Sequence, residues 1–173
     1  MVFEAHSTDY QTRNALAALV RDHFAILKVG PGLTFALREA LWALDAIERE
    51  WIAPDARAEL RETALDRMRA EPKYWQRYYH SRGQQLTVDL NYSLSDRIRY
   101  YWPDPAIEAS RQRLFANLRA NPAPAPLVGP YLPRALAELR NGLAGNDPHD
   151  LAVAHVISVL NDYHFACSIA NDH

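Results

Sequence analysis

FAILKVGPGLTFALREALWALDAIE, residues Phe24 to Glu48, is the stretch on which the fold turns. Phe24 to Val29 is a short apolar run broken only by Lys28, which suits a strand buried on both faces. Gly30, Pro31 and Gly32 punctuate it. Thr34 then stands where the N-cap of a helix would. Leu33, Leu37, Ala40, Leu41, Leu44 and Ile47 recur at helical spacing, whereas Arg38, Glu39, Asp45, Glu48 and Arg49 fall mostly off that face. A glycine turn leading from a strand end into a helix N-terminus is also an anion-binding geometry, because N–H groups and the helix dipole converge there. Spacing alone favours a simple tight βα turn.

Working outward toward the N-terminus, Val2 to His6, VFEAH, reads as a second buried strand. Thr8 with Gln11 three residues later has capping-box spacing, and Ala15, Leu16, Leu19 and Val20 give the following helix its apolar side. Val2 to Glu48 is therefore strand-helix-strand-helix, the repeating unit of a parallel α/β sheet. Two parallel strands cannot bury both their faces unaided, and parallel sheets occur almost only when buried. The chain is accordingly expected to be the C-terminal end of something larger. Alone, it is expected to be loosely folded or self-associated.

In the other direction the chain turns helical. Pro54 suits a first helical position, and Leu60, Ala64, Leu65 and Met68 make one face before Pro72 stops it. KYWQRYYH, Lys73 to His80, is dense in aromatics. Ser81 to Ser93 reads as a loop, with a short strand open at Leu86 to Leu90. Ser93 or Ser95 caps a short helix through Trp102, and Asp104-Pro105 restarts one to about Asn121 with Ile107, Leu114, Phe115 and Leu118 inward. Pro122 to Pro133 reads as an extended connector. Leu136 and Leu139 mark a short helix ending at Gly142. Asp147-Pro148 opens the last helix, with Leu151, Val156, Val159, Leu160 and Tyr163 as its core face.

The 173 residues leave room for one domain with a sizeable core, and 49% hydrophobic with 23% charged residues is ordinary for a globular protein. A net charge of -2 provides no electrostatic footprint for nucleic acid, and no basic block or long apolar run marks a membrane protein. The single cysteine, Cys167, excludes an internal disulfide framework and fits a reducing compartment. With no signal peptide visible, a cytoplasmic location is expected.

Several motifs in order carry a resemblance: EAHSTDYQT from Glu4, ILKVGPGLTFALREAL from Ile26, EPKYWQRYYH from Glu71, SDRIRYYWPDP from Ser95, and the YLP at Tyr131 to Pro133. Together they resemble the non-catalytic subunit family of class II D-tagatose-bisphosphate aldolase, whose members are also described as tagatose-6-phosphate kinases. The resemblance runs from Val2 to about Cys167 and implies the C-terminal part of a longer chain. It implies an α/β fold in which residues 1–52 are the last two βα units of a TIM-type (β/α)8 barrel. Residues 53–173 would be a helical extension packed on it. The implied function is a non-catalytic subunit, or a fragment of one, in carbohydrate catabolism of the galactitol or N-acetylgalactosamine type. Its partner would be the catalytic class II aldolase subunit, which would hold the zinc, with no cofactor in this chain. In the zinc-dependent relatives the equivalent strand ends in His-Gly-Gly-Ser, and the His binds zinc. Here it ends His6-Ser7-Thr8-Asp9, so the His is kept and both glycines are lost. Those relatives follow a Lys-Val strand end with Asn-Val-Asp-Thr-Asp, whereas here Lys28-Val29 leads into Gly30-Pro31-Gly32-Leu33-Thr34.

The candidate residues follow. His6 lies at the carboxyl end of a strand, where barrel enzymes place their sites, and is the candidate metal ligand. The competing reading is a hydrogen-bonded wall residue. Lys28 could form a Schiff base, as in a class I aldolase, but a structural ion pair with Glu4 is the expectation, because an unpaired buried charge is costly. Ser7, Gly30, Gly32 and Thr34 are the candidate phosphate site. Tyr74, Trp75, Arg77, Arg99, Tyr101 and Trp102 combine rings and cations as protein interfaces do. The alternative function is a sugar-phosphate enzyme, either a metal-dependent aldolase or a kinase. No P-loop or glycine-rich kinase signature supports the latter.

Overall fold

A computed structural model describes residues 2–169. Strand β1 (Phe3–Ala5) and strand β2 (Phe24–Leu27) pair in parallel, with Glu4 opposite Ile26, Ala5 opposite Leu27, and a register irregularity between Phe3 and Glu4. Helix α1 (Arg13–Arg21) crosses between them. Its N-cap is Thr12, whose hydroxyl accepts from the Ala15 amide at 3.2 Å. Thr8 does not cap it, because its amide and hydroxyl both turn to the carbonyl of Lys28, at 3.2 and 3.1 Å. The strands are not buried on both faces. Ala5 is covered, but Phe3 and Ile26 are 52% and 42% exposed. A sheet two strands wide is covered here on one side, where Leu27 joins Leu16, Ala17, Val20, Tyr163 and Ala166 in a small core.

Helix α2 (Gly32–Trp51) starts two residues before the expected cap. It packs against α3 (Leu60–Ala70), α5 (Pro105–Ala120), α6 (Ala125–Tyr131) and α8 (Pro148–Ile169), and so is surrounded. Arg38, Asp45 and Glu48, which the spacing puts off the apolar face, are consequently buried. Glu48 accepts from the Ala58 amide at 2.9 Å and from Asn117 Nδ2 at 2.6 Å. Asp45 accepts from the Arg61 amide at 3.2 Å and from Arg49 Nε at 3.0 Å. Both carboxylates thus pin the chain that enters α3.

Pro54 opens only a 3-10 turn (Pro54–Ala56), and α3 begins at Leu60 after Glu59 in the left-handed region at φ 55°. Leu60, Ala64, Leu65 and Met68 are buried as the periodicity requires. Ser81 to Ser93 is not a loop with a strand: Gly83–Tyr92 is helix α4. Leu86 and Leu90 are four apart, a spacing that alternation and a helix share. The helix is favoured because Leu90 and Asn91 are buried, with Asn91 Oδ1 accepting from Arg61 Nε at 2.9 Å. Asp104 caps α5 through the Ala106 amide at 2.9 Å, and Ile107, Leu114, Phe115 and Leu118 face inward. The proline-rich connector is helical too. Pro126 occupies the first turn of α6, where a missing N–H costs nothing, and Val128 and Leu132 are buried. Helix α7 (Pro133–Arg140) leads to α8, which packs on α1, α2, α5 and α7. Leu151 of α8 is buried, but Leu160 is 41% exposed and not in the core.

Candidate functional site

The two strands deliver their carboxyl ends to one place, and the loops that follow build a polar cluster there. Asp9, from the loop after β1, reaches across to the turn after β2. Its carboxylate accepts from the Gly30 amide at 2.8 and 3.0 Å and from the Gly32 amide at 2.7 Å. It caps α2 from outside the helix, where the backbone partial charge favours an anion. The closeness of this contact explains both glycines. A Cβ at Gly30 would lie 2.8 Å from Asp9 Oδ2, and one at Gly32 2.8 Å from Oδ1. The Asp9 loop is itself anchored to α8, where the Tyr163 hydroxyl donates to the Thr8 carbonyl at 3.0 Å.

Below this cap lies a buried group of charges. Thr34 Oγ1 donates to Asp96 Oδ2 at 2.6 Å and lies 2.9 Å from the Pro31 carbonyl, so its hydroxyl serves the tertiary structure and not the cap. Arg38 Nη1 is 3.1 Å from Asp96 Oδ1, with the two side chains 1% and 0% exposed. The approach is too oblique for a hydrogen bond, so this is an ion pair; the same nitrogen donates to the Ser93 carbonyl at 3.3 Å. The guanidinium lies 4.0 Å over the Phe35 ring, and its Nε and Nη2 have no hydrogen-bond partner among the described residues. Tyr10 closes the cluster, with its ring edge-on to Phe35 and its hydroxyl donating to the Leu94 carbonyl at 2.7 Å.

Burial dominates the electrostatics. It raises the Asp96 carboxyl above the usual range against the pull of Thr34, Arg38 and Arg99. Burial also lowers the Arg38 guanidinium despite Asp96. The Tyr10 phenol is pushed up to about 12, first by burial and then by Asp96 and Asp9. Desolvation thus works against the charge on both partners of the ion pair and outweighs their mutual attraction.

The expected site residues distribute unevenly around this cluster. Gly30 and Gly32 are in it, but Asp9 already holds their amides, and a phosphate would have to displace it. Ser7 is exposed in the left-handed region at φ 54°, and it lines a separate hollow with His6, Thr8, Gln11 and Ala15. His6 is an exposed side chain whose Nε2 is 3.3 Å from Glu4 Oε2. Among the described residues no three His, Cys, Asp or Glu side chains converge on a point. Lys28 Nζ is 2.6 Å from Glu4 Oε2, which holds the Glu4 carboxyl below its usual range. This pair lies at the surface, not in an interior.

The aromatic segments divide as well. Tyr101 is 3% exposed and donates to the Glu71 carbonyl. Trp75 donates to the Met68 carbonyl at 2.7 Å and stacks on Tyr79, while Trp102 packs edge-on to Trp42. Tyr101 is thus a core residue, and Trp75 and Trp102 are half-buried at the edge of the core. Tyr74, Arg77 and Arg99 do reach the surface, beside Tyr78, Arg97 and Tyr100. Tyr74 stacks on Tyr100, and Arg97 lies 3.3 Å over the Tyr78 ring. Sequence reasoning misses Asp9, Tyr10, Arg38 and Asp96 as one cluster. Asp9 alone had a local signal, since it stands in the loop at a strand's carboxyl end.

Comparison with known proteins extends this picture. The profile of the family described as D-tagatose-1,6-bisphosphate aldolase subunit GatZ/KbaZ-like matches residues 1–168. A protein of Klebsiella pneumoniae subsp. pneumoniae, named D-tagatose-1,6-bisphosphate aldolase subunit GatZ, is 51% identical over 97% of this chain and 40% of its own length. The Salmonella newport protein of that name is 49% identical over the same shares. A crystal structure from Sinorhizobium meliloti 1021, titled a probable tagatose 6 phosphate kinase, superposes with a TM-score of 0.90. It is 49% identical over 96% of this chain and 43% of that one. The chain thus spans about 40% of the length of the curated relatives it matches. With the match running through both strand ends, the Gly30 turn and the helices beyond, the chain belongs to the GatZ/KbaZ-like family.

Proposed function

We propose that this chain serves as, or within, the non-catalytic subunit of a class II D-tagatose-bisphosphate aldolase, and that it stabilises the catalytic subunit. The observation that carries this reading is the match over 97% of the chain to relatives named as subunits of that aldolase. The strand ends agree with it. The amides that a sugar phosphate would use hold Asp9, so the turn is braced from within. In this reading residues 1–52 form the last two βα units of a (β/α)8 barrel and residues 53–173 its helical extension. Zinc belongs to the catalytic partner, and the complex works in the cytoplasm on the products of galactitol- or N-acetylgalactosamine-type catabolism. Tyr74, Arg77 and Arg99, with their exposed ring neighbours, form the contact surface on the catalytic subunit. No described helix is long and apolar enough to cross a membrane.

The test is co-expression with a catalytic class II aldolase subunit, followed by pull-down and tagatose-bisphosphate cleavage with and without this chain. A stable complex with raised or better preserved turnover is expected, weakened by Tyr74→Ala and Arg99→Ala. Retro-aldol turnover with bound zinc in this chain alone would overturn the proposal.

A further inference from the structure

The short 3-10 turn Arg97–Tyr100 carries its charges toward the surface for a local reason. Ile98 is buried, and the Arg97 amide donates to the Tyr79 hydroxyl at 3.2 Å, so the turn is fixed from beneath. Arg97 is then held by two rings, 3.3 Å over Tyr78 and 5.8 Å from the centre of Tyr100. Arg99 lies 4.8 Å over Tyr100, with Nη2 donating to its hydroxyl at 2.9 Å and Nη1 to the Ser95 carbonyl at 3.2 Å. Stacking uses the flat face of a guanidinium and leaves its edge, where the N–H donors lie. The Arg97 Nε is buried with no hydrogen-bond partner among the described residues. Carboxylates close by in the chain are already engaged: Glu71 with Lys73, Asp96 with Arg38, Asp104 with Arg67. A chain of net charge -2 thus carries a local surface of cations that its own acids do not answer, with the exposed Arg77 beside Tyr78.

We propose that Arg97 and Arg99, held on Tyr78 and Tyr100, grip carboxylates of an acidic surface segment of the catalytic aldolase subunit. This rests on the non-catalytic subunit reading and gives its contact surface a chemistry. A planar carboxylate matches the edge of a guanidinium in a bidentate pair, and the rings pre-set the arginine side chains, so less freedom is lost on binding. The same rings argue against nucleic acid. Single strands need open ring faces on which successive bases stack. Here Tyr74 and Tyr100 stack on each other and Arg97 covers a face of Tyr78, so the patch turns N–H edges outward in place of a run of open rings.

Titration of a purified catalytic class II aldolase subunit against the chain, at low and at raised NaCl, tests this. Binding should weaken steeply with salt. Arg97→Met and Arg99→Met, each with unchanged far-UV dichroism, should weaken it about thirtyfold or more and flatten the salt dependence. Arg97→Lys keeps the charge and loses the planar fork, so it should keep the salt dependence and still lose about tenfold. Arg140→Met, which removes an exposed cation from α7, should change neither. A complex indifferent to both arginine changes overturns the proposal while the subunit reading stands. No complex at all overturns both. Mixed-sequence single-stranded RNA bound by the chain alone, and lost in Arg97→Met, overturns the carboxylate partner.

Discussion

Asp9 is the residue on which the strand-end cluster depends. Its carboxylate stands in for the missing N-cap of α2, so that Thr34 is free to bond Asp96. Asp9→Ala should cost about 1 kcal/mol in urea unfolding, the usual worth of a capping side chain. The vacated amides should also make the variant gain more from sulfate or inorganic phosphate than the wild type does. Equal stabilisation of the two would show that the nest takes no external anion. Arg38 and Asp96 call for the opposite arithmetic. Arg38→Met strands a buried carboxylate and Asp96→Leu strands a buried guanidinium, each worth about 3–5 kcal/mol, while the double variant should be far closer to wild type. Additive losses in a double-mutant cycle would refute that. The pair also sets a pH dependence. The folded Asp96 carboxyl binds its proton above the unfolded value, so its contribution is present below about pH 4 and declines as pH rises through the folded value.

Among the elements, α5 shows how capping chemistry is readable and tertiary partners are not. Asp104, Pro105 and the Ile107, Leu114, Phe115, Leu118 face are all local signals, and the helix follows them. Glu108, in its first turn, is held by Arg111 and Gln112, which lower its carboxyl to about 2. A lowered acid contributes stability above its unfolded value, near 4.5, and loses it as pH falls toward 2. Glu108→Gln should therefore lower stability at neutral pH and converge on the wild type as pH falls toward 2, which flattens the acid limb of a pH–stability curve in that window. An unaltered acid limb would show the pair to be too solvated to matter. The helices α4 and α6 show the limit of local signals. Leu86 and Leu90 fit a strand or a helix, and prolines in a first turn look from sequence like a broken chain.

At the scale of the molecule, α8 joins the parts. Its C-terminal half closes the small core with Leu16 and Ala17 through Ala166, and its N-terminal half enters the large core through Leu151, Ala152 and Ala154. The sheet is thus held to the helical region by one long element and α2. Phe3 and Ile26 on the sheet are exposed apolar residues, as are Val153, Ile157 and Leu160 on α8.

The types of β1, β2, α1, α2, α3, α5, α7 and α8, the cap of α5 and the inward faces of α3 and α5 were decided by the sequence alone, because periodicity and capping act within a few residues of each other. The pairing of β1 with β2 was decided there too, since a βαβ unit has little choice of neighbour. Only the tertiary structure decided that Asp9 would occupy the Gly30 turn and that Arg38 and Asp96 would be buried together. It also placed Tyr101 inside and Tyr78 outside. These depend on contacts across tens of residues, where desolvation and the shape of the neighbouring helix, not the local pattern, determine which side chain is covered.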